Sequence, residues 1–311
     1  MSDRTRLTIG SIVSVVLLVL LVRFVDVDAV GRTLLAVDRA PLGAALGLHI
    51  VILLLRVHRW LVIAEEGRTP GRDLRILGMD AVFLGWFANF ALPAKAGDLA
   101  RPLVYSRGSR RPFSGVFAAI AIERILDLLF LGIAFWLAIA VLPTPELPAW
   151  VRWAAGAAGA GALAAFTGLW GFRRWGTPLT GIAARFRDGL ALFDKPSVLG
   201  RAAGWTALIW GLEALAVSFL LAACGVEPSA SAAFVVVVGI TLAVAAPSAP
   251  GQLGVSQWVT LLVLAPYGVE RDVAVAVSLL DTATVLFWVV PFGLWAMVRQ
   301  ASGPATPDGD E

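Results

Sequence analysis

Apolar runs long enough to cross a membrane recur from Leu7 to Val298, with only short polar gaps between them. A bilayer core about 30 Å thick needs roughly 20 apolar residues of helix, so each full-length run predicts a span. Full spans are predicted over residues 7–25, 42–63, 113–142, 150–172, 201–223 and 272–298. The first follows Arg4 and Arg6 as a signal peptide would. Its apolar run is too long for one and no small-residue cleavage site follows, so it reads as a retained anchor.

Two further apolar stretches, residues 76–92 and 232–246, run directly into proline-glycine breaks. The breaks are Pro93-Ala-Lys-Ala-Gly97 and Pro247-Ser-Ala-Pro250-Gly251-Gln-Leu-Gly254. Were the first stretch a crossing, Lys95, Arg101, Arg107, Arg110 and Arg111 would lie opposite Arg68, Arg72 and Arg75, against the positive-inside rule. Both stretches therefore read as re-entrant hairpins, over about residues 76–107 and 232–267, entering from opposite leaflets. The alternative is two ordinary spans with proline-rich loops. With hairpins, only Arg32, Arg39, Arg152 and Arg271 remain outside, and both termini are cytoplasmic. The fold expected is all-α and polytopic: six full spans plus two opposed re-entrant helical hairpins, resembling the inverted repeats of transporters.

Residues 1–300 read as a single transmembrane domain. Within it, residues 26–40 are polar and read as an external connector. Residues 178–194 place Leu179, Ile182, Phe186, Leu190 and Phe193 at helical spacing among Arg185, Arg187 and Asp188, which predicts an amphipathic helix on the cytoplasmic face. The tail, 301–311, is proline, glycine and acid and is expected to be disordered.

Composition removes whole classes of function. Of 311 residues, 59% are apolar and 15% charged, with mean hydropathy +0.82, which excludes a soluble globular protein. The single Cys224 excludes an internal disulfide, and the isolated His49 and His58 lack zinc-ligand spacing, so neither metal nor cofactor is expected. A net charge of +3 gives no reason to expect a nucleic-acid partner. The twelve tryptophans, including Trp150, Trp153, Trp170, Trp175, Trp205 and Trp295 near span ends, fit an interfacial belt. Gly156, Gly159 and Gly161 make a small-residue face for close helix packing.

Charges inside spans cost several kcal/mol and mark functional interiors. Asp127 and Glu213 fall near the midplane, Glu123 and Arg124 about one turn nearer the cytoplasm, and Asp281 about one turn nearer the outside. Glu123 and Asp127, four apart, share a helix face, and Arg124 reaches Asp127 at a spacing of three. That set is either a mixed-charge lining, with Arg124 meeting an anionic headgroup, or a self-neutralising pair. His49, Arg56 and Arg59 share a face beside Trp60; Arg56 is too deep to escape, whereas Arg59 is expected to snorkel. Glu213 and Asp80 lack a sequence-local partner, so each is protonated or paired across helices, unless Asp80 sits at the cytoplasmic end of its hairpin. At the first break, Asp98 is expected to cap free amides, and Gly97 to permit a sharp turn and close approach of a headgroup. Gly251 and Gly254 would do likewise at the second.

Two motifs together resemble the flippase-like membrane proteins related to the transmembrane region of bacterial lysylphosphatidylglycerol synthase. One is Asn89-Phe-Ala-Leu-Pro93-Ala-Lys-Ala-Gly97-Asp98-Leu-Ala-Arg101, followed by Glu123-Arg124-Ile-Leu-Asp127. The other is Pro250-Gly251-Gln-Leu-Gly254-Val-Ser-Gln257, followed by Tyr267-Gly268-Val269; Arg59-Trp60 also looks like the family's Arg-Trp pair. The resemblance covers nearly the whole chain and implies an inner-membrane protein of lipid translocation or envelope lipid metabolism. Family members usually carry glutamate where Asp98 and Gln257 stand, so a titratable group is absent at the second break. No soluble aminoacyltransferase domain follows Val298, so lysyl transfer by this chain alone is not expected.

The function expected is translocation of an anionic lipid or polyprenyl-phosphate-linked lipid between leaflets, with proton coupling as an option. Arg56, Asn89, Lys95, Gly97, Arg101, Arg124, Gly251 and Gly254 would contact substrate; Asp98, Glu123, Asp127 and Glu213 would balance charge or relay protons. The alternatives are an intramembrane enzyme or accessory subunit acting on lipid-linked phosphate or sugar, and a scaffold whose cytoplasmic arginines dock a partner enzyme. Partners expected are membrane lipids with anionic headgroups, with homo-oligomerisation or an envelope-biosynthesis enzyme as further options.

Overall fold

The computed structural model describes residues 20–91, 97–142, 144–147, 149–175, 180–244 and 254–302. Among these the regular structure is helical throughout, without strands. The helices are α1 (Val27–Leu35), α2 (Arg39–Ala64), α3 (Arg72–Ala91), α4 (Gly97–Ser109), α5 (Phe113–Val141), α6 (Ala149–Trp175), α7 (Gly181–Gly189), α8 (Pro196–Ala223), α9 (Ala230–Val244), α10 (Val255–Leu264) and α11 (Arg271–Ala301). Six of them, α2, α3, α5, α6, α8 and α11, are long and apolar enough to cross a membrane. The chain is a polytopic helical membrane protein.

Five of these six coincide with spans expected from sequence. The sixth is α3, expected to be one limb of a hairpin. It runs 20 residues before its break, about 30 Å of helix, and its charges other than Asp80 crowd the first turn, so it has the dimensions of a span. The expected span at 7–25 lies outside the described residues except for its end, where residues 20–24 are helical. The expected connector at 26–40 holds a helix of its own, because Asp26 accepts from the amides of Asp28 and Ala29 and so caps α1. Asp38 caps α2 in the same way through the Ala40 amide.

Helices α2 and α8 form the antiparallel axis. The amide of Asp38 donates to the carbonyl of Ala223 at one end (3.0 Å), and Lys195 Nζ reaches Glu66 Oε2 at the other (2.7 Å). Helix α2 stops where Glu66 and Gly67 take positive φ values of 53° and 82°; a Cβ on Gly67 would lie 2.5 Å from Val198 Cγ2.

Around that axis two pairs of helices double back. In the first, α4 returns along α3: a Cβ on Gly97 would lie 1.7 Å from the carbonyl oxygen of Gly85, and one on Gly108 would strike Leu77. In the second, α10 returns along α9, with Val259 and Val263 filling the space beside Gly239. The base of the first pair lies beside Glu65, which accepts from Tyr105 Oη at 2.7 Å and from Arg111 at 2.9 Å. The base of the second borders a cavity of about 630 Å³ with Cys224, Ser229, Tyr267 and Glu270 in its wall. The pairs therefore open toward opposite ends of the α2–α8 axis. Gly254, with φ of 87°, begins α10, and its amide donates to Gln257 Oε1 at 2.6 Å. Glutamine supplies the oxygen this cap needs without a charge.

Helices α5 and α6 meet backbone to backbone at Gly132 and Gly159, where a Cβ on Gly132 would lie 2.8 Å from Gly159 Cα. Gly161 makes no such contact. Helix α7 continues into a 3-10 turn at Ala191–Asp194, where Leu190, Leu192 and Phe193 are buried while Ile182 is exposed.

Candidate functional site

The charged side chains carried by α2, α4, α5 and α8 converge inside the bundle. Arg59, on α2, is fully buried, with 0% exposure. Its NH2 donates to Glu123 Oε1 at 2.8 Å and to Asp127 Oδ2 at 3.2 Å. Its NH1 donates to Asp127 Oδ1 and, at 2.8 Å, to the hydroxyl of Thr206, which itself donates to the carbonyl of Ala202. Sequence reading expected Arg59 to snorkel. Its partners lie on α5 and α8, far away in the chain, so the deep position is neutralised rather than escaped. A planar guanidinium with five donors suits such a three-partner site; an ammonium would not.

Arg101 is brought in by the first hairpin. The Gly85–Gly97 approach draws α4 against α3, and Arg101, one turn beyond Gly97, donates to Glu123 Oε2 at 2.6 Å while stacking over Trp60 at 4.5 Å. Glu123 thus lies between two guanidiniums. Of the two readings the sequence leaves open, the self-neutralising Arg124–Asp127 pair does not describe this set: the short contacts of Glu123 and Asp127 are to Arg59 and Arg101, and the Arg124–Asp127 contact is long, at 3.8 Å.

Arg124 differs from its neighbours. Its side chain is 46% exposed, and it faces Asp98 at 3.7 Å and Asp127 at 3.8 Å, beyond hydrogen-bond distance from either. Asp98 was expected to cap the start of α4. Instead the Gly97 amide donates to Asn89 Oδ1 at 2.9 Å, and Asn89 Nδ2 donates to Asp98 Oδ1 at 3.1 Å, which turns the carboxylate toward Arg124. The asparagine side chain, with both a donor and an acceptor, closes the hairpin and orients the acid together.

A second set lies further along α2. Arg56 donates to Glu213 Oε1 at 2.7 Å and lies over the ring of Trp210 at 4.7 Å. His49 Nε2 is 3.8 Å from Glu213 Oε2 and 3.6 Å from Asp281 Oδ1. Glu213, left open from sequence, is paired across helices, as is Asp80, which accepts from Arg299 and Gln300. Trp210 joins the two sets, donating its Nε1–H to Asp127 Oδ1 at 2.9 Å.

Of the residues expected at the site, Arg59's partners Glu123 and Asp127, with Arg101, Arg124, Asp98, Asn89 and Gly97, come together. Arg56 and Glu213 form the neighbouring set, and Gly254 belongs to the second hairpin. Lys95 and Gly251 lie outside the described residues. Sequence reading missed Thr206 and Trp210; the available signal was the polar atom each carries into an apolar run. Among the described residues, no group of three or more His, Cys, Asp or Glu is arranged to hold a metal ion.

Residues 7–293 match the family described as the lysylphosphatidylglycerol synthase TM region, and the chain belongs to that family. A curated relative, named glycosyltransferase AglD, from Haloferax volcanii, is 30% identical over 126 residues. That match takes in 40% of this chain and 20% of the relative, so it reaches only about a fifth of the relative's length. No solved structure matches.

Proposed function

We propose that this member of the lysylphosphatidylglycerol synthase TM region family moves an anionic lipid, either a phospholipid or a polyprenyl-phosphate-linked lipid, from one leaflet to the other. The observation that carries the reading is the contrast between Arg124 and its neighbours. Arg59 and Arg101 are closed off by short contacts to Glu123 and Asp127, while Arg124 is half exposed with two long contacts. A phosphate offers a guanidinium two parallel hydrogen bonds in place of those long contacts.

Among the described residues the polar network holds three guanidiniums, Arg59, Arg101 and Arg124, against three carboxylates, Glu123, Asp127 and Asp98. An arriving phosphate adds negative charge to this balance in a medium that penalises it. Uptake of a proton on a carboxylate restores the balance, and Asp98, displaced from Arg124 by the phosphate, is the group suited to take it. In this reading a proton accompanies the headgroup.

In this reading both hairpins are re-entrant and reach inward from opposite leaflets. Asn89 and Gly97 beside the first break, and Gly254 after the second, line the headgroup's route; acyl chains stay in lipid. Arg56 and Arg101 act behind Arg124, holding Glu213 and Glu123 in place. In this reading the membrane is the cytoplasmic one and both termini are inside, an orientation the positive-inside rule favours because Arg68, Arg72, Arg75, Arg107 and Arg110 lie at the end of the bundle marked by Glu65.

The relative's name supports a second reading, in which the chain is an accessory subunit or enzyme acting on a lipid-linked sugar or phosphate. One assay separates the two. Purified protein in phosphatidylcholine vesicles carrying labelled phosphatidylglycerol accelerates leaflet exchange on the first reading. Exchange no faster than in empty vesicles, with a covalent lipid product formed instead, would establish the second.

A further inference from the structure

His49 and Asp281 take no part in the headgroup reading, and the set they form with Glu213 is chemically incomplete. His49 is 1% exposed, and neither ring nitrogen has a hydrogen-bond partner among the described residues. Its Nε2 points between two carboxylates, 3.6 Å from Asp281 Oδ1 and 3.8 Å from Glu213 Oε2. A buried imidazole with both nitrogens unpartnered is costly, and it is found here where negative charge is nearest. Ser278, one turn before Asp281 on α11, is likewise buried with an unpartnered hydroxyl.

Charge balance shows what is missing. The charged and titratable groups facing one another are His49 and Arg56 from α2, Glu213 from α8 and Asp281 from α11. Arg56 neutralises Glu213 at 2.7 Å. Asp281 has no arginine or lysine within ion-pair distance among the described residues; its facing partner is His49. With His49 neutral, the set carries one negative charge about 15 Å into the helices that bear it, counting ten residues along α2 and α11. One proton makes the set neutral, and the imidazole between the two acids can hold it while donating to either.

We propose that His49, Asp281 and Glu213 form a proton-binding site that holds one exchangeable proton on His49 between the two carboxylates. Glu213 is the shared member: a proton arriving on His49 draws Glu213 away from Arg56 and loosens Arg56 over Trp210, whose N–H holds Asp127. The site is thereby tied to the network around Arg124. This last step rests on the lipid-translocation reading; the proton site does not.

The test uses the fact that the chain has two histidines. The full-length protein carrying His58→Gln, labelled with 15N at the remaining histidine, is placed in phosphatidylcholine nanodiscs and titrated by NMR from about pH 5 to pH 9. The imidazole of His49 is expected to take up one proton within that range. Asp281→Asn, which removes a facing negative charge, is expected to lower the midpoint by roughly one pH unit or more. Glu213→Gln, which leaves Arg56 unpaired, is expected to move it the same way. An imidazole that keeps one protonation state throughout, or a midpoint indifferent to both substitutions, overturns the site. A titrating His49 in a protein that exchanges no lipid supports this site and refutes the translocation reading; exchange with a silent His49 does the reverse.

Discussion

The indole of Trp210 serves Asp127 and Arg56 at once, its N–H donating to Asp127 at 2.9 Å while its ring carries the Arg56 guanidinium at 4.7 Å. Two ionic sets on different levels of the bundle are therefore in contact through one side chain. Both guanidiniums of Glu123 and both donors on Asp127 depend on helices remote in sequence, so the network forms only when α2, α4, α5 and α8 are all in place.

Trp210→Phe keeps an aromatic face for Arg56 and removes the donor to Asp127. We expect a loss of about 1 kcal/mol in stability, read as a lower melting temperature in detergent, together with slower lipid exchange. Unchanged exchange in a protein that melts lower would show that Trp210 serves packing alone.

Arg59→Met leaves Glu123 and Asp127 without their common partner, and breaking a buried pair from one side costs roughly 3–5 kcal/mol. Arg59→Lys restores the charge but cannot place donors on Glu123, Asp127 and Thr206 together. The expected order of thermal stability is wild type, then lysine, then methionine. A lysine variant as stable as wild type would contradict the three-partner role.

Hairpin closure makes a graded prediction at two glycines. Alanine at 97 meets the Gly85 carbonyl oxygen at 1.7 Å, whereas alanine at 85 meets its nearest neighbours at 3.0 and 3.1 Å. Gly97→Ala is expected to cost more than the roughly 1–3 kcal/mol of ordinary overpacking, and Gly85→Ala to fall within it. Comparing their unfolding in detergent checks the order; equal effects would contradict the close approach.

At the Glu65 end of the bundle, burial works against the ionised form of Glu66, but the hydrogen bond and charge of Lys195, with Arg111 and Arg68, outweigh it and hold its carboxyl below the ordinary carboxylate range. A depressed acid adds stability above the ordinary range and loses it as pH falls through its own lowered value. Glu66→Gln is expected to cost up to about 1 kcal/mol at neutral pH. The gap from wild type should close in acid; a gap that widens there would refute the pairing.

The helices were legible because a bilayer sets their length. Five of the six crossing-length helices stand where the apolar runs placed them, and the sixth, α3, is of crossing length where the first limb of a hairpin was expected. Pairing was not legible. Arg59 and Glu123 are 64 positions apart, and one helix read alone makes such an arginine a candidate for snorkelling. The caps show a similar limit: spacing put Asp98 at the start of α4, whereas Asn89, across the break, takes the amide and turns Asp98 toward Arg124.

Leaflet exchange of labelled phosphatidylglycerol against labelled phosphatidylcholine, in vesicles holding wild type or Arg124→Gln, tests the central claim most directly. Arg124 is half exposed and, among the described residues, its ion pairs are long, at 3.7 and 3.8 Å, so its substitution should leave the melting temperature nearly unchanged. We expect wild type to exchange the anionic lipid faster than the zwitterionic one and the variant to lose that preference. A wild type without preference, or an Arg124→Gln protein that keeps it in full, would contradict the account.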